Sequence, residues 1–268
     1  PSSYNGLDGM INFIYSDINK LLTSSNDAFY FMDKSIASAI RDNVTYLEAS
    51  VDINLSQYFN NSIEKLIDAV AELKKKYASK IDFRPDIGIN KELPIEQVYS
   101  DGTKCIESGV FHGIDIYGRE HKKRLDVFVE IYKMAKDNSL KTKVHIGEFS
   151  DPETIEEAIV LLNPDEIQHG IKAADSKKTL QMLVDRNIRL NICPQSNIAL
   201  GSVKNLSEHP IRKLYDHGVD VTLNSDDLLL FNATITDQCL ALIENDIFSY
   251  QEIEQLLLNG IPGSIKKS

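Results

Sequence analysis

Cysteine is scarce and unpaired: Cys105, Cys193 and Cys239 are the only three in 268 residues, and none belongs to a C-x-x-C pair. That signals neither a disulfide framework nor a thiolate zinc site, and it fits a reducing, cytoplasmic compartment. Long apolar runs are missing, so neither a membrane span nor a membrane partner is expected. No Gly-rich phosphate loop follows any candidate strand, neither G-x-G-x-x-G nor the Walker pattern, which speaks against a doubly wound nucleotide binder. Positive charge is in deficit, with a net charge of −11 and no basic run longer than Lys74-Lys75-Lys76. Such a surface repels phosphate backbones, so long nucleic acid is excluded as an expected partner. The three lysines are expected to line the solvated last turn of a helix. The opening Pro1-Ser2-Ser3-Tyr4-Asn5 has no initiator Met, basic n-region or apolar h-region, and reads as the start of a fragment or a processed chain. No linker rich in Pro, Gly or Ser interrupts the sequence, and residues 1–268 are expected to form a single domain.

What is present is a rhythm. Hydrophobic residues make up 42% of the chain, enough for a sizeable core. Short β-branched runs at 44–53, 81–89, 110–118, 143–148, 166–170, 188–193 and 220–224 alternate with amphipathic helical patterns such as 62–77, 122–137, 151–162 and 176–185. Strand and helix in alternation imply parallel βαβ units with right-handed crossovers. A closed (β/α)8 barrel needs eight strands. The segment from Gly9 to Ile40 reads as helices with no strand before it. The expectation is therefore an α/β fold, a TIM-type (β/α)8 barrel whose first β-strand is absent from this chain.

Function in such barrels sits on residues just after the strands. Here those positions carry His145-Ile146-Gly147-Glu148, then His169-Gly170, Cys193-Pro194-Gln195-Ser196-Asn197, and Asn224-Ser225-Asp226-Asp227. Two histidines, a glutamate and an aspartate pair gathered at one rim are costly to desolvate without a metal or mutual pairing. Imidazole and carboxylate are the donors zinc takes in hydrolytic sites. Taken singly each residue has a plainer reading: a rim histidine in a hydrogen bond, Asp226 and Asp227 as cap and first-turn acid of the next helix, Glu148 facing solvent. Their placement on successive strand ends argues for a site.

These motifs, H-I-G-E at 145–148, Q-H-G at 168–170, C-P-Q-S-N at 193–197 and L-N-S-D-D at 223–227, with a softer G-I-D-I-Y-G-R-E at 113–120, resemble the adenosine deaminase family. The resemblance implies zinc-dependent hydrolytic deamination of a 6-aminopurine, most simply adenosine to inosine plus ammonia, with a small purine nucleoside or base as the partner molecule. It makes His145 and Asp226 zinc ligands, and Glu148 the proton donor to ring N1. It gives His169 the task of orienting and helping to deprotonate the water held by the metal. Asp227 would meet ring N7, and the Gly118 backbone N–H ring N3.

One departure is large. The family's first strand carries an H-x-H pair that supplies two further zinc ligands, and no H-x-H occurs in this sequence. The remaining histidines, His112, His121, His209 and His217, are read as structural or surface residues. With only His145 and Asp226 the chain is expected to hold zinc weakly and to be inactive alone. Because Glu148, His169 and Asp227 remain together, the H-x-H strand is expected in a segment preceding Pro1. Glu48-Ala49-Ser50, where the family often has arginine after the glutamate, and Leu228, where it commonly has proline, point to an altered pocket wall. The alternative function is a catalytically inactive deaminase-like barrel that binds a nucleoside or a protein partner. A hydrolase that opens cyclic amides or esters would place a bridging lysine where Tyr117 and Gly118 stand.

Overall fold

A computed structural model describes residues 4–120 and 124–262. Seven strands form in chain order: β1 (Tyr46–Asp52), β2 (Asp82–Asn90), β3 (Gly113–Tyr117), β4 (Lys141–Ile146), β5 (Glu166–His169), β6 (Arg189–Ile192) and β7 (Val221–Leu223). They line up in one sheet in the order β1-β2-β3-β4-β5-β6-β7, and the registered pairs are parallel. This is the α/β arrangement of a (β/α)8 barrel lacking its first strand, as the alternating pattern predicts. Every strand expected from the sequence forms.

The helices start where their caps say they should. Ser62, Asp151 and Ser176 each accept a hydrogen bond from the backbone N–H three residues on, opening Ile63–Tyr77, Pro152–Leu162 and Lys177–Asp185. The helix expected from residue 122 is described from Leu125, as a 3-10 turn (Leu125–Phe128) leading into Val129–Asp137. Its first two residues and His121 lie outside the described residues. Before β1 the chain is helical, ending in Ser25–Arg41. Among the described residues no helix is long and apolar enough to cross a membrane.

The chain divides into two compact units, one spanning Ile11–Val144, the other the residues up to Met10 together with those from His145 onward. In the first, Ile87, Ile89, Ile114, Ile116 and Val144 from three neighbouring strands are fully buried. Charge is buried among them. Lys143 is 1% exposed, donates to Asp86 at 2.6 Å and also pairs with Glu48. Asp115, fully buried, accepts from the Ser50 hydroxyl at 2.6 Å. Of the lysine run, Lys75 is exposed as expected, but Lys74 donates to the Val110 carbonyl and Lys76 pairs with Asp33. Two of the three are thus anchored, because their long stems reach neighbouring acceptors along the helix flank. Lys143, at the start of an expected strand, is the less foreseeable case.

The second unit packs β5, β6, β7 and the end of β4 against their own helices. Ile146, Ile167, Leu190, Ile192 and Val221 are fully buried, with Ile155, Ile159, Leu183 and Leu214 from the helices.

Candidate active site

The site grows from the carboxyl ends of β4, β5 and β7 in the second unit. The sequence places Glu148 inside a strand, but β4 stops at Ile146, because Gly147 adopts φ +73° and leaves extended geometry. A Cβ at Gly147 would lie 2.3 Å from Ile155 Cδ1, so the turn needs glycine for space as well as for dihedral freedom. The turn is pinned by the Ser150 hydroxyl, which accepts from the Gly147 N–H at 3.0 Å, and by the Lys172 N–H, which donates to the Gly147 carbonyl at 2.9 Å. Replacing Gly147 with Ala is expected to destabilise the chain by about 2 to 4 kcal/mol through overpacking and strain at positive φ. The check is the urea midpoint at unchanged slope.

The turn points Glu148 inward. The residue is 4% exposed, so the plainer reading of a solvent-facing glutamate does not hold. Its Oε1 accepts from Asn197 Nδ2 at 2.6 Å and from the Ser202 hydroxyl at 3.4 Å. The same Asn197 nitrogen lies 3.2 Å from His169 Nδ1. His169 is also buried, and its other ring nitrogen, Nε2, stands 3.9 Å from Glu148 Oε2 and 3.8 Å from Asp226 Oδ2. The ring of His145 lies 5.3 Å from that of His169, centroid to centroid. Both His169 and Asp226 sit in the left-handed backbone region, at φ +62° and +58°.

Asp226 Oδ1 accepts from the Asp227 N–H at 2.7 Å. Asp227 precedes the short helix Leu228–Phe231 in the cap position, yet its side chain makes no capping bond, so the capping alternative fits its position and not its contacts. The protein packed around the Asp227 carboxyl, and then the charge of Asp226, push it up to about 7 against the pull of His145 and His169. The residue keeps contact with solvent, so water tempers the burial part and the adjacent Asp226 charge is the cause that persists. His145, Glu148, His169, Asp226 and Asp227 are therefore neighbours within one unit. Gly118 follows β3 in the other unit, with φ +103°.

A profile of the adenosine deaminase family matches residues 6–267. The chain belongs to the adenosine deaminase family. Within that family it is 34% identical over 257 residues to a Treponema pallidum protein assigned as an adenosine/adenine deaminase, a match covering 96% of this chain and 86% of the other. It is 28% identical to the adenosine deaminase of Clostridium botulinum strain Okra, over 98% of this chain and 80% of that one. Among solved structures it resembles the adenine deaminase of Arthrobacter aurescens, with a TM-score of 0.86 at 21% identity, covering 96% of this chain and 80% of that one. An Arabidopsis N6-mAMP deaminase gives 0.83 at 21% identity, covering 95% and 78%. At these identities the structural likeness speaks for the fold. Adenosine deaminase family membership places the chain among metal-dependent aminohydrolases.

The donor set is of the kind a zinc ion takes, imidazole and carboxylate, but its grouping differs from the sequence expectation. Among the described residues, the donor atoms that lie within 4.8 Å of one another belong to His169, Cys193 and Asp226. Asp226 was expected there; His169 was assigned to water, and the sequence signalled no thiolate. Cys193 fits a metal poorly, since burial first and then the charges of Asp226 and Glu148 hold its thiol well above the ordinary value, and a zinc ligand must be thiolate. A His, Cys and Asp cluster also differs from the two additional histidines the resemblance calls for. Asp226 with the imidazole of His145 is the pair that suits hydrolytic zinc. Sequence reasoning missed the contacts of Asn197 and Ser202 with Glu148. C-P-Q-S-N marks Asn197 as part of a motif without giving it a task, and the structural reading of His209 agrees with its burial and its two hydrogen bonds.

Proposed function

We propose that the protein is a metal-dependent aminohydrolase that removes the 6-amino group of a purine by hydrolysis, with adenosine the first substrate to test. The observation that carries this reading is the buried Glu148 carboxyl held by the same Asn197 amide nitrogen that meets His169, beside Asp226. Hydrolysis at purine C6 requires a nucleophilic water, a proton on ring N1 and departure of ammonia. Glu148 is the proton donor to N1, and its burial keeps that proton from exchanging with bulk water during the step. His169 orients the attacking water, and Asp227 receives ring N7. His145 and Asp226 would hold the metal, which when bound supplies a water of lowered pKa and a Lewis acid.

The test is release of ammonia from adenosine and adenine, and of the substituted amine from N6-substituted adenosine monophosphate, by full-length protein supplied with zinc. Turnover of at least one is expected. Tight nucleoside binding with no turnover of any would overturn this reading in favour of an inactive binding barrel. Replacing Asp226 with Ala should lower metal content and turnover together, and chelation of the unsubstituted protein should reproduce that loss, both measured by metal analysis alongside the ammonia assay.

A further inference from the structure

Outside the residues already given roles, one group meets the site from behind. His209 is 6% exposed and precedes the helix Ile211–Asp216. The first N–H groups of a helix have no partner within it. Here the Ile211 N–H donates to His209 Nδ1 at 3.1 Å. A nitrogen that accepts carries no proton, so a neutral His209 has its proton on Nε2. Burial, and then the charge of His169, lower its pKa to about 4, which keeps it neutral in this role.

From there the polarity runs one way. His209 Nε2 lies 3.1 Å from Asn197 Oδ1 and must donate to it. That fixes the Asn197 amide with oxygen toward His209 and nitrogen toward the site. Asn197 itself is fully buried, so a flipped amide would leave oxygen facing oxygen at Glu148 and nitrogen facing an N–H at His209. With Nδ2 directed at Glu148 Oε1 and His169 Nδ1, His169 Nδ1 accepts, and its proton sits on Nε2, the atom that faces Asp226 and Glu148 Oε2.

We propose that His209 is a positioning residue: through Asn197 it sets the tautomer of His169 and the side of Glu148 that accepts. This rests on the aminohydrolase reading for its consequence in turnover, and on hydrogen-bond geometry alone for the tautomers. It also changes one part assigned by resemblance. A neutral His169 with Nδ1 accepting has no lone pair at Nε2, so it orients the attacking water by donating to it and does not take its proton.

The experiment uses the whole chain with 15N-labelled histidine and two-bond proton–nitrogen spectra, assigned by single substitutions. His209 and His169 are both expected as the Nε2–H tautomer. In His209→Leu the His169 signals should shift to mixed tautomers, while His209→Gln, which keeps an N–H donor toward Asn197, should restore the bias. Turnover of the best 6-aminopurine should fall about 10- to 100-fold in His209→Leu with KM nearly unchanged, and recover in His209→Gln. A proton on Nδ1 of either histidine in the unsubstituted protein overturns the inference, and that measurement stands even where His209→Leu does not fold. So does a His169 spectrum indifferent to His209→Leu. If the tautomers are as expected and no purine turns over, the positioning network stands and the functional reading fails.

Discussion

Glu148→Gln is expected to lower turnover by about 10²- to 10⁴-fold, the range general acid catalysis typically supplies, while leaving metal content and folding intact. The substitution is well matched to its surroundings. The Gln carbonyl can still accept from Asn197 Nδ2, where Glu148 Oε1 now accepts at 2.6 Å, so the amide stays in place. What is lost is the acidic proton and nothing of comparable volume. Three readouts are needed: kcat, metal stoichiometry and the thermal midpoint. If the variant is fully active with metal bound, Glu148 is not the acid. If activity and metal disappear together, the glutamate serves the metal.

The second large effect concerns stability in the unit that contains β1 to β3. Lys143→Met is expected to cost about 3 to 5 kcal/mol at neutral pH, because it leaves the buried Asp86 carboxylate, and the half-buried Glu48 beside it, without their shared cation. One ammonium answers to both Glu48 and Asp86, and so neutralises only one. That shortfall agrees with Asp86, which burial pushes from 3.8 to about 7 despite the pull of Lys143. Because the folded chain holds that proton more tightly than the unfolded chain, Asp86 makes stability decline as pH rises from about 4 to 7, and its contribution levels above that window. The deficit in Lys143→Met should accordingly shrink toward pH 5. Adding Asp86→Asn to Lys143→Met should recover part of the loss, since a neutral amide has less to lose in burial. Urea midpoints at pH 5 and pH 7.5 for the single and double variants decide this. A Lys143→Met midpoint unchanged at both would mean the charges find water or other partners.

Strand placement was legible because alternation of β-branched runs and amphipathic helices is a local property, and the caps at Ser62, Asp151 and Ser176 announce themselves in sequence. The family motifs were legible for the same reason, each being a contiguous string. Strand ends were less so. Glu148 reads as a strand residue until the positive φ of Gly147 is known. Least visible were pairings between distant residues. Nothing local links Lys143 to Glu48, 95 positions away, or Asn197 to Glu148, 49 away. The partners of His209 were hidden for a further reason: one of its bonds goes to a backbone N–H, which has no sequence signature, and the other to an asparagine whose orientation depends on it.

The left-handed backbone at His169 and Asp226 bears on how inheritance at this site should be weighed. Positive φ is tolerated by glycine, asparagine, aspartate and histidine and resisted by β-branched side chains. Two of the five grouped residues are thus restricted in identity by the chain path alone, whether or not chemistry is selected. A lineage that had abandoned catalysis would still shed His169 and Asp226 slowly. Glu148 has ordinary φ and no such protection, so its persistence in a descendant is the stronger sign of a site still under selection for turnover.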